Sequence, residues 1–289
     1  LMNREDALKA SDEALKELAE ALRQGKSEKL VEYLALMSRF HQYSFGNCIL
    51  IAIQKPEATH VAGFGRWKDL GRFVRKGEKG ISILAPLIGK RKKDDQAGTV
   101  KSSPAAEVPD ATNGKVVYGF RVVHVFDVSQ TEGEELPEFA ALSGDPGEKL
   151  TRLEAVIKSH GIEIAYVDSL PFDANGMSEG GKVSINATRP KPQMFSTMVH
   201  ELAHELLHWG DRREVTTKTV RETEAEAVAF IVCRSIGLDT STRASDYIQL
   251  WNGDEKVLLQ SLEHIRTVAA KILSELSADT STKEVADVA

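Results

Sequence analysis

The chain has 289 residues, more than the roughly 100 to 200 of an ordinary single domain, so two domains are expected. Hydrophobic residues make up 42% and charged residues 28%, which excludes a disordered or membrane-embedded class. The amino terminus lacks the apolar core of a signal peptide, and no apolar stretch reaches the roughly 18 residues of a membrane helix, so we expect a cytoplasmic protein. Cys48 and Cys233 lie far apart in apolar surroundings, which predicts buried thiols rather than a disulfide.

The amino-terminal half is predicted to begin with helices and to continue as strands. The predicted helices are residues 8–22, a second from Ser27, and the apolar run 47–53. From Val61 onward, glycines break short apolar stretches, which is typical of strands and tight turns. The clearest strands are residues 81–88 and 116–128, and the polar segment 89–114 between them is predicted to be a disordered loop.

An excess of positive charge lies in this half of an otherwise acidic protein. Residues 39–93 hold twelve basic and three acidic residues, a local charge of +9 against −6 for the whole chain. Aromatic residues are interleaved with the cations, a combination that binds single-stranded nucleic acid because rings stack on bases while cations contact phosphates. The predicted contacts are Tyr43, Arg66, Trp67, Lys68, Arg72, Arg75, Lys76 and Lys79, with Trp67 as the stacking residue. The aromatic residues expected in the core are Phe45, Phe64 and Phe73.

The carboxyl-terminal half alternates helices and strands. The predicted helices are 149–160, 195–209, 220–236 and 255–273, and the predicted strands are 162–167 and 182–186. Glycine, glutamate and proline cluster at 131–145, where we place the domain boundary.

Residues 200–204 read HELAH, an HExxH pattern inside the predicted helix 195–209. Positions i and i+4 share a helix face, so His200 and His204 can bind one metal ion at about 2.0 to 2.1 Å. Glu201 is then the predicted general base. The alternative is a surface helix with two ordinary histidines, and the apolar residues on either side of the motif favour the metal site.

A catalytic zinc ion takes three protein ligands and keeps one position open. His208 lies about 12 Å from His200 along a straight helix, too far to share the ion, and is expected to be structural or to support a ligand. On the next helix Glu222 and Glu226 share a face that is expected to be buried, whereas Glu224 points about 200° away. We assign Glu222 to the metal and Glu226 to a hydrogen bond with a ligand histidine, and the exchange of these two roles stays open. A solvated acidic helix end is the alternative.

These residues predict a zinc-dependent peptidase. Zn²⁺ lowers the pKa of its bound water and polarises the scissile carbonyl, while Glu201 accepts the proton and passes it to the leaving amine. The substrate would add as a strand to a sheet edge, for which residues 182–186 are the predicted edge strand.

Several motifs in chain order carry a resemblance to a known family. They are YSFGN, QKPEATHVAGFGRWKDLGR, VRKGEKGI, ILAP, HVFDVSQTEG and LP, followed by HELAHE and RETEAEAVAF. In these motifs the chain resembles ArdC-type antirestriction proteins. The resemblance implies a single-stranded DNA-binding domain joined to a zincin-like metallopeptidase domain. Asn47, within YSFGN, is also among the predicted DNA-binding residues. Family members are associated with plasmids and mobile elements and protect entering DNA from restriction.

We therefore predict an α+β protein with a single-stranded DNA-binding domain at 1–137 and a zincin-like metallopeptidase domain at 138–289. Two other functions stay open: DNA coating by a protein whose metal domain is not proteolytic, and a repressor-cleaving peptidase of mobile elements. The intact HExxH pattern favours the enzyme, because a purely structural metal site would not need Glu201.

Overall fold

The computed structural model describes residues 2–24, 28–90, 115–134, 145–238 and 255–278. Most of the predicted loop 89–114 and the predicted boundary after residue 137 lie outside these ranges. The chain divides into two compact units, Leu1–Phe139 with Arg243–Glu263 and Ala140–Thr242 with His264–Ala289. Both contain helices and strands, so the mixed character of the fold is confirmed. None of the helices in the described ranges is long and apolar enough to cross a membrane.

The first unit begins with the three predicted helices and continues with short elements. In chain order these are α1 (Arg4–Arg23), α2 (Glu28–Phe40), α3 (Phe45–Gln54), β1 (Val61–Gly63), α4 (Phe64–Asp69), β2 (Arg72–Val74), β3 (Ile81–Lys90), β4 (Lys115–Asp127) and β5 (Thr131–Gly133). The expectation of strands and turns after Val61 is wrong at α4. Trp67 holds this helical turn in place, because its indole N–H donates to the Phe126 carbonyl at 2.8 Å.

An antiparallel sheet in the order β1-β4-β3 forms the centre of this unit, and β2 pairs separately with β5. β3 is an outer strand whose free backbone groups bond to side chains of α3. Asn47 exchanges two hydrogen bonds with the backbone of Leu84, at 2.9 and 2.8 Å. Gln54 does the same with Ser82, at 2.8 and 2.9 Å. Since an exposed edge would be open to strand pairing, α3 both covers β3 and fixes its position.

Asp127 joins the end of β4 to the segment that precedes β1. Its buried carboxylate accepts hydrogen bonds from the backbone N–H groups of Thr59, His60 and Ser129, at 2.8, 3.1 and 2.9 Å. Burial alone would raise the pKa of Asp127, but these hydrogen bonds outweigh burial and lower the pKa below its ordinary value.

The second unit contains a mixed sheet with helices packed on it. Its elements are α5 (Glu148–Ser159), β6 (Glu163–Val167), β7 (Gly176–Ser178), β8 (Lys182–Asn186), α6 (Lys191–Leu207), α7 (Asp211–Val215) and α8 (Lys218–Ser235), and α9 spans Glu255–Ser277. The sheet order is β6-β8-β7, with β6 parallel and β7 antiparallel to β8. The prediction that residues 182–186 form the edge is therefore wrong: β8 is central, and β7 is the edge strand against α6.

The two cysteines are free and buried, which confirms the prediction of separate thiols. Burial raises the pKa of the Cys233 thiol to about 12. Neither thiol is therefore in a reactive setting.

Candidate functional site

Two helices bring three potential metal ligands together. His200 and His204 lie one turn apart on α6, and their Nε2 atoms are 3.1 Å from each other. Glu222, in the first turns of α8, places Oε2 at 3.6 Å from both Nε2 atoms. Ligand atoms of a tetrahedral zinc ion lie about 3.3 to 3.4 Å apart when the metal–ligand distance is about 2.0 to 2.1 Å. These three side chains therefore fit one ion in spacing and in donor type.

Glu226 lies one turn beyond Glu222 and contacts the outer nitrogen of His200, with Oε2 at 3.3 Å from Nδ1. Burial opposes a charge on His200, but Glu222 and Glu226 outweigh it and raise the pKa of His200 to about 9. A protonated His200 carries a proton on both ring nitrogens, including the Nε2 atom that lies 3.1 Å from His204 Nε2. A metal ion at this position would displace that proton.

Glu201 lies on the same helix between the two histidines, and its side chain is buried. Burial raises the pKa of Glu201, and the neighbouring His200 and His204 only partly oppose this. Strand β7 lies against this carboxylate at Gly176. A Cβ atom at position 176 would be 2.8 Å from Glu201 Oε1 and 2.5 Å from Thr197 Cγ2, so only glycine allows this close approach.

The buried carboxylate of α8 is Glu224, which the sequence analysis did not place in the site. Glu224 is 0% exposed, whereas the side chain of Glu222 is 52% exposed and that of Glu226 is also partly exposed, so the predicted burial of the Glu222 and Glu226 face is wrong. Glu224 Oε2 is 2.9 Å from His208 Nε2. Arg212 donates to both oxygens of Glu224, at 2.6 and 2.5 Å, and this pairing makes the burial possible.

The predicted DNA-binding residues of the first unit divide into buried and exposed groups. Trp67 is 2% exposed and its N–H is bonded, so it is a core residue and cannot stack on a base. Asn47 is buried and bonded to β3, so it is structural as well. Tyr43 is half-buried and its hydroxyl donates to the Val61 carbonyl at 2.9 Å.

The exposed aromatic residues of this region are the ones that were expected in the core. Phe64 is 58% exposed and Phe73 is 53% exposed, on α4 and β2, which pack against each other. The expectation for Phe45 is confirmed, since it is buried beside Tyr33. Alternation cannot show which ring faces outward in elements as short as α4 and β2.

The predicted cations also fall into two groups. Arg72 is bonded to Thr131 at 2.8 Å, and Arg75 donates to Glu78 at 2.8 Å and to the Ser129 carbonyl at 2.5 Å. The other four are exposed and make no side-chain hydrogen bond or ion pair within the described part of the chain. These four are Arg66, Lys68, Lys76 and Lys79.

Residues 9–126 match the model of a family described as the N-terminal domain of anti-restriction factor ArdC. The match spans α1 to α4 and most of the central sheet of the first unit. Residues 9–126 therefore carry an ArdC-type N-terminal domain, which confirms over this part of the chain the resemblance predicted from the sequence motifs.

Other similarities extend over more of the chain. An uncharacterised protein of Bacillus anthracis, pXO2-81, is 27% identical over 259 residues; the match covers 79% of this chain but only 44% of that protein's length. The metal-free structure of antirestriction protein ArdC from plasmid R388 is 21% identical, with a TM-score of 0.48, over 81% of this chain and 85% of that chain. Its Mn(II)-bound structure is 18% identical, with a TM-score of 0.43, over 86% and 99%.

Proposed function

We propose that the second unit is a zincin-like metallopeptidase domain with His200, His204 and Glu222 as zinc ligands and Glu201 as the general base. The observation that carries this proposal is the convergence of three ligand atoms, 3.1 to 3.6 Å apart, beside a buried carboxylate that is not one of them. When bound, Zn²⁺ would supply a coordinated water of lowered pKa and would polarise the scissile carbonyl.

Residues around the metal position would each have a separate role in the reaction. Burial raises the pKa of Glu201, which favours its role of accepting a proton from the bound water and later delivering it to the leaving amine. Glu226 accepts the Nδ1–H of His200, which keeps the Nε2 lone pair of that ring turned toward the other two ligands. The outer edge of β7 has no strand partner among the described residues, and an extended substrate can pair there. Gly176 brings this edge close to Glu201.

A catalytic role accounts for the site better than a structural one. Structural zinc sites are closed by four protein ligands, whereas catalytic sites keep a position open. The described residues supply three ligands, and the half-exposed Glu222 leaves the site accessible from solvent. A structural site would also give no reason to bury the carboxylate of Glu201 next to the ion.

Metal analysis combined with a proteolysis assay tests the peptidase. We expect one zinc ion per chain after dialysis, loss of that ion in His200→Ala or His204→Ala, and retention of it in Glu201→Gln. Hydrolysis of an unfolded protein such as casein, assayed with and without single-stranded DNA, should be abolished in Glu201→Gln. Glu214→Gln, on the exposed surface of α7, is a control for loss of a carboxylate. Full hydrolysis by Glu201→Gln would rule out its role as the base.

We propose further that the first unit binds single-stranded DNA without strong sequence preference. Phe64 and Phe73 would stack on bases, and the four unpaired cations near them in the chain would contact phosphates. The support is the coincidence, within residues 64–79, of solvent-exposed rings with exposed cations that make no ion pair among the described residues. This assignment replaces Trp67, which is buried, with two rings that are accessible.

Oligonucleotide binding measured by fluorescence anisotropy tests this surface. Phe73→Ala should weaken binding by about 1 to 3 kcal/mol if the ring stacks on one base, which is roughly 5-fold to 150-fold in Kd. Phe172→Ala, which removes a fully exposed phenylalanine from the second unit, should have no such effect. Lys76→Ala should reduce the slope of log affinity against log salt by about 0.7, and Lys158→Ala, an equal change in charge on α5, should not. Parental binding by a folded Phe64→Ala, Phe73→Ala double variant would refute the stacking role.

The same assays separate the alternatives. A protein that binds DNA and zinc but hydrolyses no substrate, with or without DNA, would favour a coating function over an enzyme. Hydrolysis with no DNA binding would favour a repressor-cleaving peptidase. An antirestriction role predicts that expression of the protein raises the survival of incoming DNA in a restricting host, and equal survival without it would contradict that role.

A further inference from the structure

A chain of side chains runs from His204 into the core of the second unit. His204 Nδ1 is 2.9 Å from Nδ1 of His208, which is fully buried at the end of α6. His208 Nε2 is 2.9 Å from Glu224 Oε2, and Arg212 bonds to both oxygens of Glu224. The proposed reaction does not use His208, Glu224 or Arg212, and burying a carboxylate and an imidazole together is costly without a purpose.

With His208 neutral, the proton positions in this chain have one consistent arrangement. Arg212 is always protonated, and its two hydrogen bonds keep Glu224 ionised, so Glu224 can only accept. His208 must therefore donate to Glu224 from Nε2, which leaves Nδ1 of the neutral His208 ring as an acceptor. His204 must then donate from its own Nδ1. The Nε2 atom of His204 consequently carries a lone pair, and it is this atom that lies 3.1 Å from His200 Nε2 and 3.6 Å from Glu222.

We propose that His208, Glu224 and Arg212 are positioning residues that fix His204 in its Nδ1–H tautomer and direct its Nε2 lone pair toward the candidate metal position. The inference deepens the proposed function and rests on it for the identity of the ligands. His200 receives the same support directly from Glu226. His204 receives it through one intervening imidazole, that of His208, which contacts the carboxylate of the buried Glu224.

The tautomers can be read in the metal-free protein. Long-range proton–nitrogen NMR of the histidine rings, recorded at about pH 8, above the ordinary histidine pKa of about 6.5, distinguishes a proton on Nδ1 from one on Nε2. We expect the parent to carry the His204 proton on Nδ1 and the His208 proton on Nε2. His208→Gln should preserve the His204 tautomer, because a glutamine amide can accept from His204 and donate to Glu224. His208→Leu should release it to a mixture. A parental His204 proton on Nε2 would overturn the proposal.

Zinc affinity, measured by competition with a chelator, supplies the second readout. His208→Leu and Glu224→Gln should weaken binding about 10-fold to 100-fold, the usual effect of removing support from a ligand, and His208→Gln should recover most of the loss. His160→Leu is the matched control, because it removes a histidine–glutamate contact of the same 2.9 Å length, to Glu275, that touches no ligand. Parental affinity in folded His208→Leu would overturn the positioning role while leaving the peptidase intact. A parent that has the expected tautomers but binds no zinc would instead overturn the peptidase assignment.

Discussion

The substitution Gly176→Ala tests whether β7 lies directly against the general base. The added methyl group would be 2.5 Å from Thr197 Cγ2, 2.8 Å from Glu201 Oε1 and 2.9 Å from Glu201 Cγ. Contacts this short cannot persist, and because Thr197 and Glu201 both belong to α6, the methyl group meets the two side chains together. Either β7 shifts outward or the Glu201 carboxylate rotates out of place.

Both effects have an expected size. Overpacking of this kind costs about 1 to 3 kcal/mol, so the free energy of unfolding should fall by that amount. A displacement of about 1 Å at a catalytic group can cost about 100-fold in rate, so hydrolysis should fall by about that factor. Zinc content should not change, because none of the three ligand side chains is among the nearest atoms to the new methyl group.

The assay combines zinc analysis, hydrolysis rates and urea unfolding on the same preparation. Gly63→Ala is the control, since a Cβ atom there would have no heavy atom within 4 Å. If Gly176→Ala kept parental hydrolysis and stability, β7 would not lie beside Glu201, and the proposed use of β7 as the substrate-binding edge would fail with it.

Three other outcomes follow from the contacts described above. Trp67→Ala should lower the free energy of unfolding by about 3 to 5 kcal/mol in urea denaturation, because it empties a core site and removes the hydrogen bond to the Phe126 carbonyl. A change in DNA affinity without loss of stability would contradict the burial of Trp67. The pKa of Asp127 is lower in the folded protein than its ordinary value of about 3.9. Its contribution to stability is therefore fully present above a pH of about 3.9 and is lost as the pH falls through the folded-state pKa. Asp127→Asn should flatten the acid limb of a plot of stability against pH. His200 has a pKa of about 9, so zinc must displace a proton from it below that pH. Zinc affinity, measured by titration calorimetry, should therefore rise about 10-fold per pH unit and level off near pH 9. An affinity independent of pH would show that His200 is not a ligand.

Much of the candidate metal centre is determined by the sequence alone. The four-residue spacing of His200 and His204 within an apolar helix fixes their common face, because helical periodicity is a local property of the backbone. The same periodicity on α8 places Glu222 and Glu226 one turn apart. The long helices and the β3 and β4 strands were predictable for the same reason, since each is long enough for its apolar pattern to repeat.

Tertiary structure alone decided which faces of the short or mixed elements are buried. Helix α8 carries carboxylates on several sides near its start, so its sequence has no apolar stripe to show which of them faces the core. The contacts that His208 and Arg212 make with Glu224 show that this carboxylate, rather than that of Glu222, is the buried one. The exchange of Trp67 for Phe64 and Phe73 has the same origin, because a six-residue helix and a three-residue strand contain too few residues for a pattern. Strand β7 is equally short, and its place at the sheet edge against Glu201 depends on the pairing of β6 with β8, a contact between segments distant in sequence.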